Sequence, residues 1–246
     1  MTRLRVGLYE LDEIYLGDCL ELMKDIPRQT IDLIVADPPF GIAYIGARDE
    51  WWDKSQVTEY AEVHVEDYPV FTEKWIKKAY RLLKNEGTMY IVSGWNNLEC
   101  VLRSVREMGL CIQSHVIWHY TRPQPTQRRF ATSHYHILHT TKHPNKYTFN
   151  KGHYPIDVWI RQRERWSGRV KKTLTKLPVD IVSKMVTYSS NVEELVFDPF
   201  MGSGTTGVVA KRYNRHFLGF EIVEETWKMA KERIDSSPWG VGDFFE

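Results

Sequence analysis

Apolar positions recur along this chain with two periods. Ile31-Asp32-Leu33-Ile34-Val35-Ala36 is an almost unbroken apolar run stopped by Asp37-Pro38-Pro39. A strand buried on both faces of a parallel sheet carries that signature, because neither face meets water. Thr88 to Ser93, Ile112 to Trp118, Leu195 to Phe197, His216 to Glu221 and the short Ile14 to Leu16 read as further strands. Between them apolar residues return at helical spacing over Cys19 to Ile26, Val70 to Leu83, Leu98 to Met108, Val179 to Tyr188, Thr205 to Tyr213 and Glu224 to Ile234. Asn85-Glu86-Gly87 is expected to end the second of these helices. Strands alternating with helices predict an α/β fold, a mostly parallel, doubly wound sheet with right-handed crossovers.

Two stretches break the rhythm. Gly41 to Pro69 is irregular and rich in acids and aromatics, Trp51 and Trp52 among them. A loop of that length in a compact domain is usually functional or mobile. Thr121 to Val170 opens with Pro123 and Pro125. Within it Ala131 to Thr141 reads as a strand, Lys142-His143-Pro144-Asn145 as a turn and Tyr147-Thr148-Phe149 as a short return strand.

At 246 residues, 42% apolar and 26% charged, the chain fits one globular domain, 1–246. No apolar run approaches the roughly 18 residues of a membrane span, so no membrane partner is expected. Met1-Thr2-Arg3-Leu4-Arg5 lacks the apolar core of a signal peptide. Cys19, Cys100 and Cys111 are an odd number without paired spacing, so reduced thiols in a cytoplasmic protein are expected. Net charge is only +1, but thirteen Lys/Arg between Thr121 and Asp180 face three acids, which makes that segment +10 and the rest −9. Such a stretch is either a footprint for phosphates or a solvated face.

Two strings carry the candidate chemistry. Leu195-Val196-Phe197, Asp198-Pro199-Phe200, Gly202-Ser203-Gly204 and the helix from Thr205 make a strand–loop–helix unit. Glycines let backbone approach a ligand closely, and the helix start offers free amide donors. Glu221 ends the next strand, nineteen positions after Gly202, where a carboxylate accepts ribose hydroxyls in dinucleotide folds. The other string is Asp37-Pro38-Pro39-Phe40. The exocyclic amine of a base is a poor nucleophile, because its lone pair is delocalised into the ring, and it needs acceptors that draw on its hydrogens. Asp37 supplies a carboxylate. The Pro38 carbonyl supplies a second acceptor, left free of helix or sheet bonding beside Pro39, which has no N–H. Adjacent prolines stiffen the turn, and Phe40 offers a ring face. Both Asp37 and Glu221 sit at carboxyl ends of strands, where open α/β sheets bind ligands. Each string alone also reads as an ordinary turn.

In their order, Asp37-Pro38-Pro39-Phe40 first and Phe197-Asp198-Pro199-Phe200-Met201-Gly202-Ser203-Gly204-Thr205-Thr206 last, these strings make the chain resemble the beta-permuted group of S-adenosylmethionine-dependent DNA amino-methyltransferases, over about Ile14 to Ile234. The resemblance implies a Rossmann-like class I methyltransferase fold with a catalytic half (14–120), a target-recognition insert (about 121–172) and a cofactor half (173–234). It implies S-adenosylmethionine as cofactor, bound by Asp18, Asp37, Thr175, Asp198, Phe200, Gly202, Ser203, Gly204, Thr205 and Glu221. Asp18 would bond the cofactor's adenine amine, and is equally well placed as a helix N-cap. Asp37, Pro38, Pro39 and Phe40 would be catalytic, in a direct in-line methyl transfer to a base flipped out of DNA. Asp-Pro-Pro in this permutation goes mostly with adenine N6 and Ser-Pro-Pro with cytosine N4, so Asp37 favours adenine.

Double-stranded DNA is the implied partner. Arg122, Arg128, Arg129, Lys151, Arg161, Arg163, Arg165, Arg169, Lys171 and Lys172 would meet its phosphates, which position a protein without reading sequence. A homodimer goes with so short an insert in similar enzymes, and a cognate restriction endonuclease would be a separate chain. Seven of nine histidines lie between His115 and His153. With no cysteine among them and no helix to pair His139 with His143, no metal is expected. Trp51 and Trp52 read as a lid over the base or as a packed aromatic pair.

The chain departs from the family pattern twice. Before the helix at Val179 it has Thr173-Leu174-Thr175-Lys176-Leu177-Pro178, which keeps the Thr and the last Pro but loses the usual Lys at Leu177. The frequent His-Glu pair is His134-Tyr135 here. Four other readings stay open: an NAD-type oxidoreductase, in which Asp-Pro-Pro-Phe has no role, a DNA-binding subunit without activity, and an RNA or a protein side chain as substrate.

Overall fold

The computed structural model describes residues 4–41, 63–123, 125–152, 155–165 and 175–241. In chain order its strands are β1 (Arg5–Val6), β2 (Tyr9–Glu10), β3 (Glu13–Leu16), β4 (Ile31–Ala36), β5 (Leu83–Ser93), β6 (Cys111–His119), β7 (His134–Thr141), β8 (Val158–Ile160), β9 (Glu164–Arg165), β10 (Thr175–Lys176), β11 (Leu195–Asp198) and β12 (His216–Glu221). The helices are α1 (Cys19–Leu22), α2 (Tyr68–Leu82), α3 (Leu98–Glu107), α4 (Val179–Ser189), α5 (Thr205–Arg212) and α6 (Glu224–Asp235).

The central sheet runs β3-β12-β11-β4-β5-β7-β6-β8. β3, β12, β11, β4 and β5 are mutually parallel, and β7 runs antiparallel to both β5 and β6. The α/β, mostly parallel sheet read from the sequence is therefore present. Its period-2 logic is visible in β4. Leu33 and Val35 enter the apolar cluster that holds Ile181, Val182, Met185, Val209 and Ala230 of α4, α5 and α6. Ile34 and Ala36 enter the opposite cluster, with Trp75, Ile76, Val101 and Val105 of α2 and α3. All four β4 side chains are fully buried, so helices cover both faces of the sheet. Asp32, the polar break in that run, accepts the amide of Leu195 at 3.0 Å and the ammonium of Lys84 at 2.6 Å, and so pins β4 to the start of β11.

The sequence reading and the structure differ in three places. Asn85-Glu86-Gly87 was expected as a helix stop, but β5 begins at Leu83, directly on the last residue of α2. The open carbonyls of Tyr80 and Leu83 accept from Lys142 Nζ at 3.0 and 2.9 Å, which ends the helix without a separate turn. Tyr147 to Phe149 is not a strand. Its rings pack on His139, Phe149 also stacks on Tyr188, and Asn150 caps α4 by donating to the carbonyls of Thr187 and Ser190. Cys19 to Ile26 is one turn of α-helix followed by a 3-10 turn, Met23–Asp25. Among the described residues no helix is long and apolar enough to cross a membrane.

Phe197 of β11 is fully buried and meets Phe220 of β12 edge-on, 5.2 Å between ring centroids. Phe197→Ala is expected to cost about 3–5 kcal/mol of folding stability, read as a lowered midpoint in urea unfolding.

Candidate active site

β4 and β11 lie side by side, with Val196 opposite Leu33 and Phe197 opposite Ile34. From β4 the chain continues to β5 on one side, and from β11 to β12 on the other. Two adjacent parallel strands whose connections diverge leave a crevice outside their carboxyl ends. Asp37 follows β4 directly into that crevice and Asp198 closes β11 beside it. One strand further, Asp198 is opposite Gly219, and Glu221 pairs with Leu16 of β3, so Gly17-Asp18 stands next in line. Asp18, Glu221, the 198–204 loop and Asp37 thus come from four neighbouring strands along one edge.

The glycine loop is braced from within. Asp198 is buried, and its carboxylate accepts the Phe200 amide at 2.9 Å and the Thr206 hydroxyl at 2.5 Å. Both oxygens serve the loop, which makes Asp198 a brace. Gly202 and Gly204 have φ of 53° and 79°, a region costly for residues with a Cβ. A Cβ on Gly204 would also press on Ile234 and the Ala230 carbonyl of α6, at 3.0 and 3.1 Å. One on Gly202 would find nothing nearer than 3.7 Å. The loop is thus packed on its helix side and open at Gly202. Phe200 is held by Phe71 and, edge-on, by Trp75 of α2, at 6.0 and 5.4 Å.

Glu221 accepts the Gly202 amide at 2.8 Å and the Val223 amide at 2.8 Å. The acid expected nineteen residues after Gly202 therefore touches the glycine loop. Gly17 donates to the Glu221 carbonyl at 2.8 Å, and Asp18 caps α1 through the Leu20 amide at 2.8 Å. The N-cap role of Asp18 is realised in this geometry.

Arg233 and Thr206 were not singled out from the sequence. Arg233 of α6 donates to the Ser203 carbonyl at 2.9 Å, the Ser203 hydroxyl at 3.2 Å and the Thr205 hydroxyl at 3.0 Å. Nothing in helical spacing marks such a side chain, because the contact depends on how α6 crosses α5. Thr206 lies inside the quoted loop string, and only the structure shows its bond to Asp198.

At the other end of the crevice Pro38 is buried and Asp37 and Phe40 are half-buried. The Phe40 ring lies 5.6 Å from that of Tyr135, which in turn sits 5.5 Å from Tyr120 and 5.1 Å from Trp118. Arg163 lies over Tyr120 at 4.5 Å. Tyr135 is thus the bridge from the Asp-Pro-Pro-Phe turn to the basic segment.

Within that segment Arg122, Arg128, Arg129 and Lys151 are exposed. Arg161 pairs with Asp180 at 3.1 Å. Arg165 and Thr175 pair through backbone in the β9–β10 ribbon. Arg169, Lys171, Lys172, Trp51 and Trp52 lie outside the described residues. Leu177 is buried in the α4 apolar cluster. His115 and His136 share a 2.8 Å hydrogen bond. Among the described residues no group of three or more His, Cys, Asp and Glu is arranged to hold a metal ion.

The sheet order with β7 reversed, and a glycine loop at the switch point, define a class I methyltransferase fold. The chain belongs to the N6/N4 DNA methylase family, whose pattern matches residues 31–232. That makes it a DNA amino-methyltransferase. The type II methyltransferase M.HpaI of Haemophilus parainfluenzae is 30% identical over 239 residues, covering 89% of this chain and 73% of its own. Two solved structures share the fold. The cytosine-N4-specific PvuII DNA methyltransferase has a TM-score of 0.72 at 20% identity, covering 89% of this chain and 85% of its own. M1.HpyAVI, solved as a complex with S-adenosylmethionine, has 0.68 at 23% identity, covering 90% and 98%.

Burial pushes the Asp198 carboxyl up to about 7, against the pull of its hydrogen bonds from Thr206 and Phe200, and also raises Glu221. The folded protein then holds a proton on Asp198 that the unfolded chain, with an aspartate near about 3.9, gives up earlier. Its contribution to stability is full below about pH 4 and is lost as pH rises to about 7. His136 and His139, pushed down to about 4 by burial, act in the opposite sense below pH 6.5. The difference between wild type and Asp198→Asn isolates the carboxylate. In urea unfolding the variant is expected to gain on the wild type steadily from pH 4.5 to pH 7.5, and a gap independent of pH would contradict this.

Proposed function

We propose that this protein transfers a methyl group from S-adenosylmethionine to the N6 amine of adenine in double-stranded DNA, with the base extruded into the β4–β11 crevice. The observation that carries this reading is the convergence of Asp37-Pro38-Pro39-Phe40 and the 198–204 loop at the carboxyl ends of two adjacent parallel strands. Bound in the crevice, S-adenosylmethionine supplies an electrophilic methyl on a sulfonium. The residues present suit it: the space beside Gly202 admits backbone contact, the Glu221 carboxylate reaches the loop, and Asp18 stands one strand away. Ser203, Gly204, Thr205 and Thr175 complete the proposed contacts, with Asp198 and Phe200 shaping the loop.

The chain's own chemistry falls to the Asp-Pro-Pro-Phe turn. Asp37 and the Pro38 carbonyl would accept hydrogen bonds from the two amine hydrogens, which localises the nitrogen lone pair toward the methyl. As the N–C bond forms the S–C bond breaks to leave a neutral thioether, and the surplus amine proton leaves along its hydrogen bond to the Asp37 carboxylate. Phe40 receives the base face, and no covalent enzyme intermediate is needed. The exposed Arg122, Arg128, Arg129 and Lys151 would neutralise phosphates. On this reading residues 14–120 are the catalytic half, about 121–172 the target-recognition insert and 173–234 the cofactor half. A homodimer and a separate cognate endonuclease are the associated proposals.

Cytosine N4 is the second reading. The PvuII likeness is one of fold, so the choice rests on Asp rather than Ser before the two prolines. The test is incubation of unmethylated DNA with methyl-labelled cofactor, digestion to nucleosides and mass spectrometry. N6-methyldeoxyadenosine is expected, with Asp37→Ala lowering its yield by about 100-fold or more. N4-methyldeoxycytidine would exchange the base and keep the mechanism. An Asp37→Ala variant as active as wild type would remove Asp37 from it.

A further inference from the structure

The Asp37-Pro38-Pro39-Phe40 turn has a structural problem that its own sequence creates. Pro38 and Pro39 have no N–H, so this stretch offers acceptors but almost no backbone donors with which to fix itself. A turn that must hold a carboxylate, a carbonyl and a ring in one arrangement therefore needs a donor from elsewhere in the fold.

Asn97 is placed to be that donor. It lies on the connection that leaves β5 at the same edge of the sheet, and it is half-buried. Its side-chain Nδ2 donates to the Phe40 carbonyl at 2.6 Å and to the Gly41 carbonyl at 3.2 Å. Asn97 is also the N-cap residue of α3, and Asn is among the best N-caps because its side-chain oxygen accepts an open helix amide. Here it makes no such bond. The side chain serves the turn and leaves the helix end uncapped. The ring of Phe40 is then confined from two further sides, by Gly94, where an added Cβ would already touch it at 3.6 Å, and by Tyr135 at 5.6 Å.

We propose that Asn97 is a positioning residue for the methyl transfer, which holds the carboxyl end of the Asp-Pro-Pro-Phe turn so that Asp37, the Pro38 carbonyl and the Phe40 ring meet the amine together. This rests on the reading of that turn as the amine-binding element.

Asn97→Asp and Asn97→Ala separate positioning from helix capping. Asp caps a helix as well as Asn does, but its carboxylate cannot donate and repels the two carbonyls. If Asn97 positions the turn, Asn97→Asp still unfolds cooperatively in urea and loses kcat by about ten- to a hundred-fold, with KM for S-adenosylmethionine unchanged. Asn97→Ala loses kcat in the same direction. If Asn97 matters only to α3, Asn97→Ala is the less stable and less active variant and Asn97→Asp matches wild type, which overturns the proposal. Asp37→Ala runs in parallel. Wild-type activity in that variant would reject the amine-binding reading itself. An inactive Asp37→Ala beside a fully active Asn97→Asp would reject only the role of Asn97.

Discussion

The parallel pairing of β4 with β11 is the constraint on which the rest of the structure depends. It joins residues about 160 positions apart in the chain, with Val196 set against Leu33 and Phe197 against Ile34. Because the side-chain period of a strand is two, a slip of β4 by one residue would move Ile34 out of the α2–α3 side of the core, away from Phe197, and turn buried apolar surface to the wrong layer. Burial on both faces therefore fixes the register, and Asp32 locks it through the Leu195 amide. Once the register is set, Asp37 and the loop that follows Asp198 emerge at neighbouring strand ends. The connections that follow diverge, to β5 on one side and to β12 on the other, and strands so arranged leave a crevice at their carboxyl ends.

A crevice so placed is built from loops, and loops at strand ends lack the ladder bonds that hold strands. The fold compensates with polar side chains drawn from elsewhere. Asp198 and Thr206 tie the glycine loop to its own helix. Glu221 ties it to β12, and Arg233 ties it to α6. Asn97 ties down the turn that prolines deprive of donors. These loops are thus held by charged, hydroxyl and amide side chains that bond to backbone and to one another. Burial of Asp198 sets a cost against this bracing, visible in its raised pKa.

Much of this was legible in the sequence because it rests on local or periodic signals. An apolar run broken only by Asp32 and stopped by two prolines reads as a buried strand ending at a turn. Likewise strand, Gly-x-Gly, helix and a later acid mark a tight glycine loop, and Glu221 does touch it. The boundaries missed are those set by distant residues. The direct passage from α2 to β5 depends on Lys142, some sixty positions away. Tyr147 to Phe149 carries strand-like residues, yet ring stacking on His139 and Tyr188 replaces the ladder. Arg233 and Asn97 were invisible for the same reason, as each acts across a packing contact that no spacing encodes. Tyr135 was noticed only as a departure, and its place between Phe40 and the basic segment is a property of the β6–β7 register.

The central claim is that one crevice, outside the ends of β4 and β11, holds both the methyl donor and the amine. A crystal structure with sinefungin, an analogue that carries an amine in place of the transferable methyl group, tests it most directly. The account predicts the analogue along the 198–204 loop, its ribose hydroxyls on Glu221 and its amine facing Asp37. An analogue bound with its amine directed away from Asp37, or at another edge of the sheet, would contradict it.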